Sequence, residues 1–248
     1  MARLRAPGGC PWDREQTHET ILPKLVEESY ELIAAVESKN NDHVREELGD
    51  LLLHVLFHSQ IARDEGTFEI NDVIRILSEK LIRRHPHVFA DVTVKDSDEV
   101  MKNWDTIKAG EKKKKPDESL FDSVPQSFPA LLEAHKLNKK AAKVGFDWKK
   151  TDDVLAKIEE EIGEFREELR TKNGEGLEHE MGDLLLALAN LCRFIDVQPE
   201  EALRKANGRF RKRFHLMEKK IEAEGKKMET LSPEEWDRYW TEAKKESA

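Results

Sequence analysis

Apolar residues recur three and four positions apart along most of the chain, as in Leu48, Leu51, Leu52, Val55 and Leu56. That is the period of a helix with one buried face. Alternation of the strand type is hard to find, and Val92-Thr93-Val94 is the best β candidate at three residues. The pattern predicts an all-α protein. The longest apolar stretches, Leu51–Phe57 and Leu184–Leu191, fall well short of the ~18–20 residues a membrane span needs and read as buried helix. The middle breaks the rhythm: Glu111-Lys112-Lys113-Lys114-Lys115-Pro116 leads into Pro125, Phe128 and Pro129, a charge run followed by prolines that suits a linker. The expected organisation is a module over 1–110, a linker over 111–130 and a second module over 131–248.

The two modules carry one motif. Lys24-Leu25-Val26-Glu27-Glu28-Ser29-Tyr30-Glu31 resembles Lys157-Ile158-Glu159-Glu160-Glu161-Ile162-Gly163-Glu164. Sixteen residues after Glu31 comes Glu47-Leu48-Gly49-Asp50-Leu51-Leu52-Leu53, and sixteen after Glu164 comes Glu180-Met181-Gly182-Asp183-Leu184-Leu185-Leu186. The chain thus reads as tandem copies of one helical unit. Looser echoes follow: Lys80 to Arg84 matches Arg209 to Arg213, and Trp104 matches Trp240, so each copy ends in a basic helix and then a tryptophan.

Residues three or four apart share a helix face, so Glu28 with Glu31, Glu47 with Asp50, Glu161 with Glu164 and Glu180 with Asp183 project in pairs. The gaps hold the turn formers Asn40-Asn41-Asp42 and Asn173-Gly174-Glu175-Gly176, which predicts an antiparallel hairpin with four facing carboxylates. Converging carboxylates repel unless a cation sits among them, and oxygen-only donors suit Mg²⁺ or Mn²⁺. A merely solvated acidic face fits Glu167-Glu168. It does not fit Glu47 and Asp50, which flank Leu48 and lead straight into the leucine run. Arg209 with Arg213 and Lys80 with Arg84 each share a face and match phosphate oxygens. Together with Trp240, placed to stack on a base or to pack in a core, they suggest a nucleotide polyphosphate as ligand.

Charge and composition narrow the partners. The excess of Asp and Glu gives a net charge of -9, which disfavours binding to a nucleic-acid backbone. Two cysteines far apart, Cys10 and Cys192, exclude a disulfide framework and fit a reducing cytoplasm. They read as small packing residues. His54 and His58 have the spacing of zinc ligands on a helix, but no third ligand is evident, and a core or interface role is the simpler reading.

The chain resembles the MazG family of nucleoside triphosphate pyrophosphohydrolases in its two-domain form, over nearly its whole length. The marks are Gly9-Cys10-Pro11-Trp12-Asp13, the two carboxylate patterns, Arg83-Arg84-His85-Pro86-His87-Val88-Phe89 and Val144-Gly145-Phe146-Asp147-Trp148. The resemblance implies the all-α fold shared with dimeric dUTPases, with a core like a four-helix bundle. It also implies a homodimer and Mg²⁺-dependent hydrolysis of a nucleoside triphosphate to the monophosphate and pyrophosphate. The metal ligands carry over to Glu161, Glu164, Glu180 and Asp183, and to Glu28, Glu31, Glu47 and Asp50. The phosphate contacts carry over to Arg209 and Arg213, where Arg209 departs from the lysine often found there. Water would attack the α-phosphorus, with Glu160 or Glu161 as general base and Lys157 in reach of a phosphate. Asn190 occupies the offset at which the first copy has Phe57, so the second copy is the better equipped to hold a sugar or base. A broad base range and a house-cleaning or stress-control role are implied by the resemblance alone. A helical regulator, a nucleotide sensor without turnover and a stepwise phosphatase are the competing readings.

Overall fold

The computed structural model describes residues 1–111 and 119–247, so the lysine run and the first part of the expected linker, 112–118, lie outside the described residues. The chain divides into two compact units, Met1–Lys113 and Lys114–Ala248. Among the described residues there is no strand, and Val92-Thr93-Val94 is irregular chain between helices.

The N-terminal unit runs α1 (Ala2–Arg5), α2 (Pro11–Glu15), α3 (His18–Glu37), α4 (Asn41–Asp64), α5 (Ile70–Arg84), α6 (Pro86–Phe89) and α7 (Ser97–Glu111). The C-terminal unit runs α8 (Ala130–Lys143), α9 (Thr151–Thr171), α10 (Gly174–Phe194), α11 (Pro199–Ala223) and α12 (Pro233–Glu246), with a 3₁₀ turn at Met228–Thr230. In each unit the two motif helices form the main packed pair, α3 on α4 and α9 on α10.

Local chemistry explains the boundaries. Thr17 and Thr20 form a reciprocal capping box at the start of α3, and Asn40 Oδ1 accepts from the backbone N–H of Asp42 and His43 at the start of α4. Both hairpins reverse through a left-handed residue of the same type, Lys39 and Lys172, each at φ 56°. Pro86 ends α5 and opens α6, because proline offers no N–H to continue a helix but suits a first turn. At the Gly9-Cys10-Pro11-Trp12-Asp13 segment, a Cβ on residue 9 would sit 2.2 Å from the Leu4 carbonyl oxygen, so only glycine permits that turn.

The second half of the expected linker is packed rather than free. Val124 is buried, and Lys140 on α8 donates to the Leu120 carbonyl at 3.0 Å, which attaches this stretch to the C-terminal unit. The C-terminal core gathers Met217 and Ile221 from α11 and Tyr239 and Ala243 from α12, and the Tyr239 hydroxyl donates to Glu224 at 2.6 Å. The N-terminal core gathers Ile21, Phe57 and Ile61.

The leucine runs correct one expectation. They are helical, but Leu48, Leu52, Leu53, Val55 and Leu56 on α4 and Leu185, Leu186 and Leu188 on α10 are exposed in the single chain. A leucine stripe has the same spacing whether it packs against its own chain or another, and here much of it is left uncovered.

Candidate active site

The hairpin of α9 and α10 brings Glu161, Glu164 and Glu180 together, with one carboxylate oxygen of each within 4.8 Å of the others. The hairpin of α3 and α4 does the same with Glu28, Glu47 and Asp50. The fourth expected member adjoins each triplet rather than completing it. Asp183 turns to His179 at 3.4 Å, and Glu31 hydrogen-bonds to Glu28.

Electrostatics mark both triplets as places where negative charge is crowded. Partial burial, then repulsion from Glu164, pushes the Glu180 carboxyl above its ordinary range. Burial raises Glu28, with the hydrogen bond from Glu31 next. Burial also raises Glu47, whose Oε2 has no partner among the described residues. Crowded carboxylates of this kind are what a divalent ion satisfies, and a set made only of carboxylates fits Mg²⁺ or Mn²⁺.

The C-terminal triplet adjoins a cavity of about 580 Å³, lined by Asn138, Gly145, Phe146, Asp147, Trp148, Lys157, Glu161, Asp183, Leu186, Ala187 and Asn190. Lys157 is on its wall and pairs with Glu160 at 2.8 Å and Glu161 at 2.7 Å, hydrogen bonds that raise its pKa. Of the two candidate bases, Glu161 is 5% exposed and lines the cavity, whereas Glu160 is exposed and outside the lining. The loop from Val144 to Trp148 is tied to α10 through Arg193, which donates to Asp147 Oδ1 and, at 2.9 Å, to Asn190 Oδ1. That tie holds Phe146 and Trp148 at the cavity as aromatic surfaces and leaves the Asn190 amide to donate. Phe146, Trp148 and Asn138 have no role in the sequence reading. The only signal for Phe146 and Trp148 is the aromatic-rich segment itself, and Asn138, on α8, has none.

In the N-terminal unit the matching position is filled. Phe57 is 3% exposed, Trp12 meets it edge-on at 6.4 Å, and the Arg5 guanidinium lies 5.6 Å from its ring centre. Beyond Phe57, His58 Nδ1 lies 2.7 Å from His18 Nδ1, and His54 is buried. The sequence hid that partner, because His18 is on a different helix; the pair serves packing and hydrogen bonding.

Arg209, Arg213 and Trp240 are absent from the cavity lining. Trp240 is half-buried and packs on the core of α11 and α12 against Phe210, with ring centres 5.4 Å apart. Arg213 lies over Trp240, Arg209 is exposed, Lys80 is half-buried on α5 and Arg84 is engaged by Glu111.

The chain matches the MazG nucleotide pyrophosphohydrolase domain twice, over residues 16–89 and 149–215. It is 51% identical over 244 residues to the nucleoside triphosphate pyrophosphohydrolase/pyrophosphatase MazG of Thermotoga maritima, covering 98% of this chain and 92% of that protein. It is 44% identical over 249 residues to the nucleoside triphosphate pyrophosphohydrolase of Escherichia coli K12, covering 99% and 95%.

Proposed function

The chain belongs to the MazG family of nucleotide pyrophosphohydrolases, and from that premise we propose that its C-terminal unit hydrolyses nucleoside and deoxynucleoside triphosphates to the monophosphate and pyrophosphate, with Mg²⁺ or Mn²⁺ as cofactor. The observation that carries this reading is the Glu161–Glu164–Glu180 triplet beside a cavity with aromatic and amide walls. An anionic triphosphate and an apolar base need just such neighbouring environments.

The chain's own residues divide the work. Phe146 and Trp148 offer faces to the base, while Asn138 and Asn190 offer amides to base or sugar. Glu161, Glu164 and Glu180 hold the divalent ion, with Asp183 on the cavity wall as a further donor. Bound there, the ion supplies charge neutralisation for the phosphates and acidity for water. The oxygen of water bonds to the α-phosphorus, the bond from that phosphorus to the α–β bridging oxygen breaks, and pyrophosphate leaves with the electron pair. Glu161 accepts the water's proton, and Lys157, 2.7 Å from its oxygen, places a cation beside the incoming phosphates.

Product analysis tests the assignment. Common and damaged triphosphates incubated with Mg²⁺ are expected to give monophosphate and pyrophosphate in equal amounts across several bases. Orthophosphate as the first product would replace this reading with a stepwise phosphatase, and binding without any product would replace it with a sensor. A cytoplasmic role in clearing unwanted nucleotides fits the two unpaired cysteines. Among the described residues no helix is long and apolar enough to cross a membrane.

Asn190→Phe gives this unit the residue of its counterpart. The larger ring removes an amide and intrudes on the cavity, so kcat/KM is expected to fall by about 100-fold or more, with most of the change in KM. An unchanged KM would remove Asn190 from the substrate site.

We infer that the protein works as a homodimer. The uncovered leucines of α4 and α10 make a second copy the natural cover. Light scattering at micromolar concentration is expected to give twice the 28.7 kDa of one chain. A 28.7 kDa particle would refute the dimer.

A further inference from the structure

The two units repeat an arrangement at their basic helices that differs in one chemically decisive position. In the C-terminal unit the Arg213 guanidinium lies 5.9 Å from the Trp240 ring centre, Lys244 lies 5.7 Å from it, and Arg213 Nε donates to Ser247 Oγ at 3.0 Å. In the N-terminal unit Arg84 lies 5.5 Å from the Trp104 ring centre and Lys108 lies 5.9 Å from it. There Arg84 Nε donates to the two oxygens of Glu111 at 3.2 and 3.1 Å, and Arg83 Nε donates to the same carboxylate at 2.8 Å. In both units the lysine follows the tryptophan by four residues and the arginine's partner follows it by seven. A hydroxyl stands in one copy where a carboxylate stands in the other.

The difference matters because a guanidinium fork receives a carboxylate and a phosphate through the same parallel hydrogen bonds. The grip on Glu111 is firm: the hydrogen bonds from Arg84 and then Arg83 hold its carboxyl down at about 2, and it stays ionised at any physiological pH. Arg84 and Glu111 are both largely shielded from water, which keeps the interaction from being screened away. Trp104 Nε1 is buried with no partner among the described residues, a further donor on the same patch.

We propose that Arg83, Arg84, Lys108 and Trp104 form a second, N-terminal phosphate site for a pyrophosphoryl group, and that Glu111 is its resident anion. The proposal rests on the reading of this chain as a nucleotide enzyme, since that activity supplies both possible ligands: free pyrophosphate and the β,γ end of a nucleotide. Glu111 and the ligand exclude each other, because two anions cannot share one fork. Residue 111 thereby sets whether the N-terminal unit holds phosphate, while Ser247 leaves the Arg213 charge uncompensated by its own partner.

The test is calorimetric titration of the full chain, without metal, using inorganic pyrophosphate in one arm and an α,β-methylene triphosphate in the other. Glu111→Ser copies the C-terminal unit, and Glu111→Gln keeps the shape without the charge. Both are expected to bind pyrophosphate at least about tenfold tighter than the wild type, with the gain abolished by adding Arg84→Ala. A matching gain for the methylene analogue would identify the ligand as nucleotide, and a gain for pyrophosphate alone would identify it as product. Unchanged affinity in folded variants overturns the proposal, as does a gain that survives Arg84→Ala. Failure of both variants to fold also overturns it, because Glu111 would then be a structural clasp. Pyrophosphate release by the wild type is measured in parallel. Its absence alongside a gain in binding would remove the hydrolase reading and leave the phosphate site standing.

Discussion

Replacing Glu161 and Glu164 together by alanine is expected to lower pyrophosphate release by about 1,000-fold or more, the scale of losing a catalytic metal site. Glu28→Ala with Glu31→Ala is expected to leave activity within about threefold, because Phe57 fills the place in that unit where a substrate would sit. The carboxylates alone do not separate the two units, since each assembles a triplet from both helices of its hairpin. What separates them is the space beside the triplet. Next to Glu161 there is a cavity of about 580 Å³ walled by Phe146, Trp148, Asn138 and Asn190. At the matching position of the other unit the Phe57 ring is buried against Trp12 and Arg5. A metal site without room for the base holds no substrate for attack. Circular dichroism on both double variants ensures that rates are compared between folded proteins. The opposite ranking would make the N-terminal unit the engine.

The hairpins were legible because helix period, turn formers and a repeated carboxylate spacing all agree from Lys24 to Leu53 and again from Lys157 to Leu186. The membership of each triplet was not. Spacing puts Glu31 on the face of Glu28 and Asp183 on the face of Glu180, but the crossing of the two helices decides which carboxylate of each pair meets its neighbours. The cavity wall was hidden for a different reason. Asp147 and Arg193 meet across 46 residues of chain, and no periodicity reports such a contact. Trp240 shows the converse, because an aromatic near a basic helix has the same sequence signature as base-stacker or core, and its packing against Phe210 is a contact that no spacing reports. The exposed leucines of α4 and α10 are a third case, since the apolar stripe was visible but its partner surface was not.

Exhaustive EDTA treatment is expected to abolish pyrophosphate release, and Mg²⁺ or Mn²⁺ to restore it fully. Ca²⁺ should restore it poorly, because it accepts the same oxygens in looser geometry and misplaces the reacting water. Glu180→Ala should resemble the EDTA-treated enzyme, whereas Glu167→Ala and Glu168→Ala, on the same hairpin but outside the triplet, should cost less than about threefold. The carboxyl shifts add a pH signature. In the folded metal-free chain Glu28, Glu47 and Glu180 are raised above 4.5. Their contribution to stability is therefore present below the unfolded value and is lost as pH rises through the folded one. Mg²⁺ binds only the ionised carboxylates, so it relieves the repulsion that appears on that rise. The increase in Tm on adding Mg²⁺ should then be small near pH ~5 and large near pH ~8. Full activity after EDTA would end the metal assignment. Retained metal dependence with a Tm increment that is flat in pH would show that the ion is held elsewhere than in these clusters.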